Sequence, residues 1–69
     1  MSAPIVVHPT QGSGGRRVTA HGVILGLAHH DDDLLEFLRR AGIPDAEQLL
    51  DDPAWVQWRG GPAHEYEAA

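Results

Sequence analysis

The chain has 69 residues, with ten Asp and Glu against five Arg, no Lys, no cysteine, and a formal net charge of −5. That length admits one domain, excludes a disulfide framework, and leaves so small a core that a homodimer is one natural way to gain buried area. The longest apolar run, Val23-Ile24-Leu25, is far short of the roughly 20 residues that span a bilayer. Met1 to Val7 has neither the basic residues nor the apolar length of a signal peptide, so a cytoplasmic protein with no membrane partner is expected.

Arginine without lysine, amid frequent Ala, Gly and Asp, has the cast of a high-GC bacterial genome. The charge is also unevenly spread. Residues 1–30 carry Arg16 and Arg17 and no acid, whereas residues 31–69 carry all ten acids against Arg39, Arg40 and Arg59. Four of the five histidines, His8, His21, His29 and His30, add to the positive half below about pH 6.5. Such a division lets the halves attract each other, or offers an acidic surface to a basic partner.

In chain order, Ile5-Val6-Val7 is β-branched and bounded by Pro4 and Pro9, as in a short edge strand. Gln11 to Gly15 has the composition of a flexible loop, so residues 1–15 are expected as a flexible N-terminal segment and residues 16–69 as one domain. Val18-Thr19-Ala20 and Val23-Ile24-Leu25 flank His21-Gly22, which suits a tight type I′ hairpin; one long strand with a bulge at Gly22 is the alternative.

Asp31-Asp32-Asp33 opens the clearest helix. Leu34, Phe37, Leu38 and Ala41 form one apolar stripe, and Glu36 and Arg40 stand i, i+4. Acids at its start and Arg39-Arg40 at its end match the helix dipole. Gly42 followed by Ile43 and Pro44 predicts a Schellman end. Asp45 and Gln48 predict a capping box for a second, short helix with Ala46, Leu49 and Leu50 inward. Residues 54–59 suit either a third helix or a strand; with Gly60-Gly61-Pro62 as turn and His64 and Tyr66 alternating beyond it, a C-terminal hairpin is expected. The predicted fold is therefore α+β: an antiparallel sheet of N- and C-terminal hairpins with two helices on one face, in the order β-β-α-α-β-β.

No motif asks for a cofactor. There is no thiolate, Ser2 and Ser13 lie in segments that cannot hold a base beside them, and Gly12-Ser13-Gly14-Gly15 lacks the lysine of a phosphate loop, so no enzyme is expected. His29, His30, Asp31 and Asp33 offer metal donors, joined from elsewhere by His64 or His21, but acids ahead of an apolar stripe are also what a helix start requires. Nucleic acid has two routes. Two helices joined by Gly42-Ile43-Pro44 superficially resemble a helix-turn-helix, but the second would turn Asp45, Glu47 and Asp51 toward phosphate. Arg16, Arg17 and Arg59 with Trp55 as stacking platform make a weak footprint on an acidic chain.

On the strand reading, Trp58 shares one face with Val56, while Trp55, Gln57 and Arg59 share the other. An exposed Trp beside Arg is typical of interface hot spots. The expected function is a non-catalytic protein–protein interaction or regulatory module using Trp55, Gln57 and Arg59, with Asp45, Glu47 and Asp51 steering a basic partner or a second copy of the chain.

Overall fold

In the computed structural model, which describes residues 3–67, six elements succeed one another: β1 (Ile5–Thr10), β2 (Arg16–Ala20), β3 (Val23–Ala28), α1 (Asp31–Arg40), α2 (Ala46–Leu49) and β4 (Val56–Trp58). The class is α+β, but three strands precede the helices and one follows them. The sheet has the order β3-β2-β1-β4 and is mixed: β1–β2 and β2–β3 are antiparallel, whereas β4 runs parallel to β1.

Two expectations about the ends of the chain are corrected by this topology. Ile5–Thr10 is an interior strand, not an edge, because its alternate residues are needed by both neighbours: Ile5 stands opposite Ala20 and Val56, and Val7 opposite Val18 and Trp58. Pro9, which has no N–H to donate, falls within the register shift between Val7 and Thr10. Gln11 to Gly15 then closes the β1–β2 hairpin through Gly14 N–H to Gln11 O and Gln11 N–H to Gly15 O, at 2.9 and 3.0 Å. At the other end, residues 54–59 contain the expected strand, but among the described residues no strand follows it to make a hairpin, and it pairs with β1 instead. Gly60, Gly61 and His64 take φ of 69°, 154° and 68°, which breaks the extended run before Tyr66.

Local signals are otherwise followed closely. His21 and Gly22 adopt φ of 51° and 82°, the two positive values that a type I′ hairpin requires. Helix α1 ends as a Schellman motif, with Gly42 N–H bonded to Arg39 O and Ile43 N–H to Leu38 O, both at 3.0 Å. Glu36 accepts a hydrogen bond from Arg40 at 3.1 Å. Ala41, assigned to the apolar stripe, is exposed beyond the helix end. The capping box of α2 does not form: Asp45 is left-handed at φ 54°, not the extended geometry that aims a carboxylate at the first turn, and it makes no side-chain cap.

Both helices lie on one side of the sheet. Ile5, Val7, Val18, Ala28 and Val56 point toward them and are buried with Leu34, Leu38, Ala46, Leu50 and Tyr66. Gly26 sits on this face beneath Phe37, whose Cζ would lie 2.7 Å from a Cβ placed there, so a glycine is needed for α1 to approach β3. The alternate residues, Val6, Arg17, Thr19, Ile24, Leu27 and Gln57, face the other way, and no element packs over them among the described residues.

Candidate functional site

Two regions hold the side chains with chemical interest, one on each side of the sheet. On the open side, a turn ahead of β4 presents Trp55. The Asp52 carbonyl accepts from Trp55 N–H and Val56 N–H at 3.0 and 2.9 Å, the Asp52 carboxylate accepts from Ala54 N–H at 3.0 Å, and Ile5 N–H ties down the Trp55 carbonyl at 3.0 Å. The backbone is thus fixed while the indole is 44% exposed. Trp55 borders a shallow groove with Ala3, Pro4, Val6, Thr19, His21 and Gly22. Gln57 and Arg59 follow on the same face, both exposed, with Arg59 Nη2 at 3.4 Å from Gln57 Oε1.

The three acids expected to steer a basic partner lie with the helices and the covered side. Asp45 and Glu47 belong to the helical layer, where Glu47 lies 3.7 Å from Arg39. Asp51 is held by His64 on the covered side. The four strands contain no Asp or Glu; Arg17 lies within them, Arg59 just beyond β4, and the Asp52 carboxylate in the turn that presents Trp55.

On the covered side, Arg16 is completely buried. Strand alternation places it on the inner face with Val18, and its guanidinium meets backbone carbonyls, not a carboxylate. It donates to His8 O at 2.8 Å, to Pro62 O and Glu65 O at 3.0 Å each, and to Arg59 O. Its Cζ lies 5.3 Å from the centre of the Trp58 ring, a cation–π contact. Desolvation lowers its pKa, but arginine starts so high that it stays a cation. Arg16 therefore fastens the irregular segment 59–66 to the sheet, and it cannot contribute to a nucleic-acid footprint with Arg17, Arg59 and Trp55.

Beside it, Trp58 donates from Nε1 to Leu50 O at 2.9 Å, meets Tyr66 edge-on at 6.0 Å, and lies 5.2 Å from the His64 ring. His64 Nδ1 is 2.7 Å from Asp31 Oδ2 and Nε2 is 2.6 Å from Asp51 Oδ1. Carboxylates only accept, so both contacts are hydrogen bonds when the ring is an imidazolium donating from both nitrogens. Those bonds, to Asp51 and then Asp31, raise the His64 pKa above its ordinary value. Tyr66 donates to the other Asp31 oxygen at 2.6 Å. Burial first, and the Asp31 carboxylate second, push its phenol pKa upward, so it remains protonated. The cluster joins the start of α1, the end of the α2 turn and the C-terminal segment.

The metal donors are dispersed. Asp31 is engaged by His64 and Tyr66, the Asp33 carboxylate accepts from His29 N–H at 3.0 Å, and the exposed His29 and His30 side chains make no shared site with them. Among the described residues, no three His, Asp or Glu side chains converge to hold an ion. His64 does reach the acid cluster, through Asp31 and not Asp33. Arg16 and Tyr66 were missed as partners; the alternation Arg16–Val18–Ala20 was the available signal for Arg16, whereas the Asp31–Tyr66 contact has no local signature.

No described helix is long and apolar enough to cross a membrane. Comparison with known protein families, curated proteins and solved structures finds no match.

Proposed function

We propose that the chain is a non-catalytic protein-interaction module of a bacterial cytoplasm, and that its contact surface is the open face of the sheet around Trp55. The observation that carries this is the 44% exposure of Trp55 on a backbone held by four hydrogen bonds within its turn and to β1. A rigid, half-exposed indole loses little freedom when a partner covers it, which is why Trp dominates interface energetics. Val6, Ile24 and Leu27 extend the apolar area, and Arg17 and Arg59 give it positive charge, the strands themselves carrying no acid. That combination suits a protein segment with apolar and acidic side chains. The burial of Arg16 leaves only two cations near Trp55, too few for a phosphate backbone to dominate. His64 has both ring nitrogens taken by carboxylates and so is not a free base.

The test is selection from a random peptide display library by the wild-type chain and by Trp55→Ala. The wild type should enrich apolar, acidic sequences, and the variant should bind them with a loss above about 1 kcal/mol while remaining folded. Equal enrichment by both proteins, or none, removes the proposal.

A further inference from the structure

Strand β3 is an edge of the sheet: only β2 pairs with it, and no other backbone or side-chain hydrogen bond reaches Val23–Ala28 among the described residues. Natural sheets protect such edges with Lys, Pro, inward charges or a covering element. β3, Val23-Ile24-Leu25-Gly26-Leu27-Ala28, has none of these. The one edge device it carries is a bulge at the extra residue Leu25, whose side chain packs against the core. Among the described residues, three of the four exposed large hydrophobic residues lie on it, Val23 at 65%, Ile24 at 63% and Leu27 at 38%.

We infer that β3 is the pairing edge for a second copy of this chain, joined antiparallel about a two-fold axis into one continuous eight-stranded sheet. A free row of N–H and C=O groups selects an extended strand as occupant. Two features select a copy of β3 itself. An uncharged strand confronts no like charge when paired with its own copy, in whatever register. The chain at large carries −5, yet its acids all follow residue 30, so the strands that meet through β3 are themselves free of acid. An isologous contact of this kind closes at two copies, uses the β3 edge of each, and leaves the three-residue β4 at either end of the joined sheet. Six-residue strands bury less area than the roughly 1,200 Å² of stable complexes, so the dimer is a weak one that forms at high concentration. Ile24 and Leu27 also border the open face, but the pairing runs through the β3 backbone and does not use Trp55, so Trp55→Ala tells the two surfaces apart.

Sedimentation equilibrium from micromolar to about 1 mM concentration, with amide exchange at both extremes, tests it. The wild-type mass should rise toward that of a dimer, and amides within 23–28 should gain protection in step. Ile24→Lys combined with Leu27→Lys changes only exposed side chains and should keep the chain folded and monomeric at every concentration. Trp55→Ala should dimerise as the wild type does. A mass independent of concentration overturns the inference, as does a dimer indifferent to the two lysines or one without protection at 23–28. Loss of the dimer in Trp55→Ala also overturns it, and transfers self-association to the open face.

Discussion

The two sides of the sheet are built from the same strands yet do opposite work. On the covered side, Ile5, Val7, Val18 and Val56 are at most 2% exposed, and the polar group there, Arg16, has its donors matched to carbonyls. On the open side, the neighbouring residues of the same strands meet solvent, with an indole and two guanidinium groups among them. Stability is therefore concentrated on one side, which leaves the other free to vary its side chains without loss of fold. A sheet of only four short strands can hold a binding surface because alternation separates the two duties residue by residue.

The contrast is broken most severely at Arg16. Arg16→Met keeps the stem but leaves four carbonyls without their donor, and should cost about 4 kcal/mol in urea denaturation, enough to unfold much of a domain this small. Near wild-type stability would mean that segment 59–66 is fastened by something else. Next, Leu38→Ala should cost about 3 kcal/mol, whereas Ile24→Ala should stay within about 0.5 kcal/mol, measured as a pair in the same assay; equal losses would erase the distinction between the sides.

A smaller effect belongs to His64. Because its pKa is raised on folding, the stabilisation from its imidazolium is fully present below about pH 6.5 and is lost as pH climbs through the raised value. His64→Ala should thus lower the melting temperature by a few degrees at pH 6 and by almost nothing at pH 9, the ring being too exposed for more. A difference that grows with pH contradicts the double-donor geometry. Smallest of all, Trp55→Ala should move stability by no more than about 0.5 kcal/mol, read from the same denaturation curves.

What could be read from sequence follows the range of the forces involved. The Schellman end at Gly42-Ile43 and the hairpin at His21-Gly22 are decided by residues a few positions apart, and both are legible. The mixed sheet is not, because β4 chooses β1 through the fit of Ile5 to Val56 and Val7 to Trp58 across about fifty residues. Arg16 was misjudged for a different reason. A charged side chain is ordinarily exposed, and its burial here depends on carbonyls from residues 59–65 that arrive from the far end of the chain. Trp55 was placed on the less buried face by simple alternation, but the acids meant to accompany it follow the helices, whose side of the sheet no local pattern specifies.

The pairing of β1 with β4 carries a consequence for how the molecule comes into being. β1 can form a hairpin with β2, and β2 with β3, before β4, about fifty residues further along the chain than β1, has been translated. Until then Ile5 and Val7 have one flank bare, and Arg16 has no distant carbonyls to meet. The native interior is therefore completed only after β4 has emerged, and until then the cell has to shelter a three-stranded sheet with one sticky flank.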